Sequence, residues 1–168
     1  MRSGVFLGLL ATLVATAAVR ADEVNSATVI GPNTLLTQGT EAMVFEHWQQ
    51  GVELLEAGIK YATDPDQRAA AYSNLCAGYI ALGDYDRALI NCDAALKINS
   101  NNWRTYNNRA GALLGKGRLD EALNDVASGL ALNPEGAILL KMDSLVRTRL
   151  KSLYAPRRPA RDVPVGQF

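Results

Sequence analysis

Histidine occurs once and cysteine twice in this chain of 168 residues, which leaves little from which to build a catalytic or metal centre. His47 has no partner at ligand spacing, so the residues offer no metal site and imply no cofactor. Neither a nucleophile elbow nor a Walker loop is present. Gly115-Lys116-Gly117 lacks the preceding strand that a phosphate loop needs. These absences argue against an enzyme. No useful stretch alternates polar and apolar residues with period two, so strands are not expected. Charge of one sign is also missing: 17 basic residues balance 17 acidic ones. No helix carries a basic face, which argues against a nucleic-acid partner.

What the chain does have is a repeat. Shifted by 34 residues, Tyr72 falls on Tyr106, Asn74 on Asn108, Gly83 on Gly117 and Asp86 on Asp120. Ala88 then meets Ala122, Leu89 meets Leu123, Leu96 meets Leu130 and Asn99 meets Asn133. Ala88, Leu89, Cys92, Ala95 and Leu96 form one stripe on a 3.6-residue helix. Gly83 and Gly117 supply the left-handed conformation that ends a helix. A period of 34 with small residues at fixed places predicts stacked helix–turn–helix units, an all-α solenoid.

The spaced positions resemble the tetratricopeptide repeat family. Unit two reads Tyr72, Leu75, Cys76, Tyr79, Gly83, Tyr85, Ala88, Cys92 and Ala95, with Ser100 where the family usually has Pro. Unit three reads Tyr106, Arg109, Ala110, Leu113, Gly117, Leu119, Ala122, Val126, Gly129 and Pro134; Arg109 departs from the family's Leu. A degenerate first unit aligns Trp48 with Tyr85, Phe45 with Leu82, Gly51 with Ala88, Gly58 with Ala95 and Ile59 with Leu96, at an offset of 37. Its first helix is expected to be shorter and Gly-rich. The three extra residues fall near Asp64-Pro65-Asp66-Gln67, which reads as a helix start with Asp64 as N-cap. Asn133-Pro134 reads as another.

The expected organisation is a leader at 1–21, a flexible segment at 22–31 and a repeat domain at 32–154. The repeats fall at about 32–68, 69–102 and 103–134, with a capping helix at 135–154 and a disordered tail at 155–168. Ile138, Leu139, Met142, Leu145, Val146, Leu150 and Leu153 give the cap an apolar stripe to cover the open end of the stack. Met1-Arg2, the apolar run Val5 to Val19 and the small residues at Val19 and Ala21 resemble a secretory signal cut after Ala21. Fifteen residues rich in Ala and Thr are short for a membrane span, so no stable insertion is expected after cleavage. Removing Arg2 and Arg20 leaves 15 basic against 17 acidic residues. The reading is a periplasmic or secreted protein of the bacterial cell envelope.

The family resemblance implies a non-enzymatic protein-binding module whose concave wall is lined by the first helix of each unit. Carried over, the wall is Ala70, Ser73, Asn74, Ala77 and Ala81 in unit two, then Arg104, Asn107, Asn108, Gly111 and Gly115 in unit three. Relatives that clamp a peptide's terminal carboxylate use Asn in one repeat and a basic residue early in the next, which Asn74 and Arg104 match. Leu36 and Thr40 stand where Lys and Asn would complete the clamp. A looser site for an extended backbone is therefore expected, the alternative being Asn side chains that only cap the wall. A second reading is an accessory subunit that binds through its convex face or cap. Acids at Asp84, Asp86, Asp120, Glu121 and Asp125 read as turn and first-turn residues that complement helix dipoles.

Antiparallel helices turning near Gly83-Asp84 pair residues whose numbers sum to about 168, and Cys76 and Cys92 do so. Two readings follow. They form a disulfide in an oxidising compartment, or they are two small side chains filling the interface with Cα atoms too far apart to bridge.

Overall fold

The computed structural model describes residues 32–155; the expected signal peptide, the whole segment 22–31 before the first unit and nearly all of the tail lie outside the described residues. The chain forms α1 (Pro32–Val44), α2 (Trp48–Ile59), α3 (Pro65–Ala81), α4 (Tyr85–Ile98), α5 (Trp103–Gly115), α6 (Leu119–Leu132) and α7 (Ala137–Tyr154). The fold is all-α, a solenoid of three hairpins followed by a single helix. Helices α1, α3, α5 and α7 touch in sequence and make one wall, while α2, α4 and α6 pack behind them.

Small residues set this geometry. Ala88 and Ala122 are fully buried where the second helix of a unit crosses the first. Gly83 and Gly117 sit at φ +78° and +75°, and each lets the chain leave its helix without Cβ strain. In unit one the equivalent turn position, by the 37-residue offset, is Glu46, whose φ of 59° is uncommon for a side chain with a Cβ. Helix α1 is not the Gly-rich helix expected, while Gly51 and Gly58 stand where their alignment with Ala88 and Ala95 put them. α1 holds one described glycine, Gly39, against Leu55, whereas Gly51 and Gly58 lie in α2. A Cβ at Gly51 would press on Met43 and at Gly58 on Leu35 and Leu36. The close approach is thus made by glycines on both helices.

One core joins units one and two through Leu55, Leu75, Cys76, Tyr79 and Cys92; a second forms around Leu113, Leu119, Val126 and Val146. The Tyr79 hydroxyl donates to the Glu56 carboxylate, and the Arg87 guanidinium lies 4.4 Å from the ring centroid. Burial first, and then that carboxylate, push the phenol up to about 12.

Helix starts follow side-chain chemistry at two of the expected places. Asp64 caps α3 by accepting from the Asp66 N–H at 3.0 Å, with Pro65 in the first turn. Asp84 caps α4 by accepting from the Arg87 N–H, and that bond holds its carboxyl below the usual range. Asn133-Pro134 does not start α7. Asn133 instead closes α6, its N–H donating to Gly129 O, and α7 begins at Ala137 behind Gly136. The capping stripe is also only half used. Leu139 and Val146 are buried, whereas Ile138 and Leu145 remain 53% and 52% exposed, and Leu153 is exposed too. A single helix shows one flank to the stack, and no other described residue covers the opposite flank.

Asp125 is likewise corrected. It lies in the second turn of α6, too deep to complement the helix dipole, and it is buried. Its two oxygens accept from Arg109 Nε and Nη2 at 2.8 and 2.7 Å, while Arg109 Nη1 donates to Asp93 at 2.6 Å. The departure from the family pattern at Arg109 is thus one half of a charge pair. Asp125 is the main cause that raises the guanidinium further above its ordinary value.

Candidate functional site

The concave wall opens into a cavity of about 360 Å³ between α1 and α3. Its apolar lining is Leu36, Leu55, Ala70 and Ala71; Thr37, Thr40, Gln67 and Asn74 supply neutral polar groups, and Glu41 the only charge among the described residues. Leu36 and Thr40, the residues that replace a clamp's Lys and Asn, are part of this lining. Thr40 Oγ1 donates to Leu36 O at 2.8 Å and accepts from Asn74 Nδ2 at 3.2 Å. One repeat later Asn108 Nδ2 donates to Ser73 O at 3.3 Å. Each Asn thus spends one N–H on the preceding first helix. A second N–H and the side-chain oxygen of each amide remain for a ligand's backbone.

Of the residues expected on this wall, Asn74, Ala77 and Asn108 are half-buried and Arg104 is exposed. Ser73 and Asn107 are not wall residues. Ser73 is buried in the joint between α3 and α5, where its Oγ accepts from Thr105 Oγ1 at 2.9 Å. Asn107 is 9% exposed, and its Oδ1 has no hydrogen-bond partner among the described residues. Both lie one residue, a turn of about 100°, before the groove-facing Asn. Gly115 is exposed, but a Cβ there would strike the Tyr85 ring of α4, so its side-chain direction points behind the wall. Gly111, in contrast, leaves space toward Met142 and Ile80.

Arg104 sits in the first turn of α5, whose N-cap Asn102 accepts from its N–H at 3.1 Å. Its guanidinium lies 4.3 Å from the Trp103 ring centroid and has no acidic partner among the described residues. It is 34 residues beyond Ala70, which lines the cavity, and so continues that row of the wall. The Glu41 carboxylate also lacks an ion-pair partner there. Sequence reasoning passed over Glu41, which directly follows Thr40 but carries no mark within α1 that sets it apart from a solvated carboxylate.

Residues 69–102 match the family model of the tetratricopeptide repeat. Those residues thus carry one tetratricopeptide repeat, and the chain is similar in fold to solved tetratricopeptide repeat domains. It is similar to heat shock protein STI1 of Saccharomyces cerevisiae, 31% identical over 96 residues, which are 57% of this chain and 16% of that protein. The chain spans at most about a sixth of the length of the curated relatives it matches. Among solved structures, the Hsp90 co-chaperone Cns1 of Saccharomyces cerevisiae superposes with a TM-score of 0.69 at 24% identity, over 73% of this chain and 40% of that one. The second TPR domain of human RPAP3, in complex with the HSP70 peptide SGPTIEEVD, superposes with a TM-score of 0.62 at 20% identity, over 70% and 98%.

Proposed function

We propose that the protein is a non-enzymatic binding module that holds an extended partner peptide in the concave groove of α1, α3, α5 and α7. The observation that carries this reading is the cavity beside Asn74, where an apolar floor lies next to amides with hydrogen-bonding capacity to spare. The complex of the structurally similar RPAP3 domain with a peptide supports it. A displayed peptide library panned against the chain supplies a ligand for the test. Arg104→Glu should weaken that ligand about tenfold or more while the melting curve stays in place, since charge-assisted hydrogen bonds from an exposed side chain are lost. The pair Asn74→Ala with Arg104→Ala should abolish binding. Unchanged affinity in both would place the partner elsewhere.

The exposed flank of α7 favours a second reading, docking as an accessory subunit through the cap. Under it Leu145→Glu, and not the groove variants, would release the partner.

The setting we propose is the bacterial cell envelope, on the strength of the leader-like residues 1–21. The mature chain is then expected to begin at Asp22. N-terminal sequencing that found Met1 retained on the exported protein would remove that setting.

A further inference from the structure

We infer that the groove is electrically polar and takes a peptide with a Lys or Arg side chain over the α1–α3 cavity and an acidic group over Arg104. The inference rests on the groove reading and adds the ligand's chemistry. The cavity lining has the form that a long basic side chain needs. Leu36, Leu55, Ala70 and Ala71 offer an apolar bed for the aliphatic stem, and Glu41 offers the only charge for the head among the described residues. An acidic side chain placed there would meet the Glu41 carboxylate, with no cation among the described lining residues to offset it. A terminal-carboxylate clamp at this end is thereby disfavoured by charge as well as by the missing Lys.

The other end of the wall has the opposite sign. Arg104 is exposed, without an acidic partner among the described residues, and held against Trp103. From α1 to α5 the groove crosses two helix-to-helix steps of roughly 8–10 Å each, and Glu41 lies about eight residues, or ~12 Å, further along its helix than Arg104 does along α5. An extended chain rises about 3.3 Å per residue, so the two charged groups of the ligand fall about six to seven residues apart along this diagonal. Between them the ligand backbone passes Asn74, Ala77 and Asn108, which are small or amide-bearing and impose no charge preference.

The test uses a displayed library of random peptides of ~12 residues, panned against the full chain and against three variants. Wild-type protein should enrich sequences with Lys or Arg about six to seven residues from Asp or Glu. Glu41→Lys should replace the enriched basic residue by Asp or Glu, and Arg104→Glu should do the converse. Both sites are exposed, and circular dichroism checks that the helices persist. Identical enrichment by wild type and Glu41→Lys would overturn the inference, as would wild-type sequences acidic at both ends, with the groove reading left standing. If wild type enriches nothing beyond Asn74→Ala with Arg104→Ala, the groove reading fails and the inference goes with it.

Discussion

Arg109→Leu should lower the free energy of unfolding by about 3 kcal/mol, although it restores the residue usual in the family. The reason is Asp125. Its side chain is only 7% exposed, and both carboxylate oxygens are satisfied by the Arg109 guanidinium. Leucine would leave that carboxylate buried without a counter-ion, and breaking one half of a buried pair costs about 3–5 kcal/mol. The contact of Arg109 with Asp93 adds little, because Asp93 is largely solvated.

The molecule carries its own control. One period earlier the same two places hold Leu75, which is buried, and Asn91, which donates to Arg87 O at 2.8 Å. Arg109→Leu combined with Asp125→Asn copies that arrangement into unit three and should recover all but about 1 kcal/mol. Urea unfolding of the two single variants and the double variant measures the coupling. A neutral Arg109→Leu would mean that water in the adjacent cleft lined by Leu89, Arg118 and Asn124 solvates Asp125 well enough to replace the guanidinium.

Reduction of the Cys76–Cys92 disulfide is expected to cost a similar amount, about 3 kcal/mol, or on the order of 10 °C in the melting temperature. The structure joins the two sulfurs across the α3–α4 crossing with the Cα atoms 5.3 Å apart, inside the range that bridging allows. The bond closes a loop from residues 16 apart in sequence, and the loss of unfolded-chain entropy scales with that loop. Both side chains are fully buried, and Cys92 Sγ lies 3.5 Å from the Thr105 carbonyl oxygen of the next unit. Cys76→Ala with Cys92→Ala should therefore lose the bond and a little packing, whereas reduction loses the bond alone. Urea midpoints in the presence and absence of dithiothreitol separate the two. Coincident midpoints would reduce the cysteines to small side chains filling an interface.

The hairpins, their order and the antiparallel facing of Cys76 and Cys92 could be read from residue numbers, because each rests on local rules. A 34-residue period places the turns at Gly83 and Gly117, the 3.6-residue stripe places Ala88 and Ala122 at the crossings, and the turn position then sets which residues face one another. The direction in which each first helix turns its remaining faces was not available in this way. Neighbouring residues differ by about 100° around a helix, and the rotation of one unit on the next decides which of them meets solvent. That rotation puts Asn74 and Asn108 on the wall and sends Ser73 and Asn107 into the joints. It also joins Arg109 to Asp125 across 16 residues of sequence. Glu41 acquires its place beside an apolar cavity only when α1 packs on α3, since no property of α1 alone distinguishes it from a solvated surface carboxylate. Periodicity along one helix is a property of the chain, whereas the chemistry of a groove depends on several helices at once and is settled by their packing.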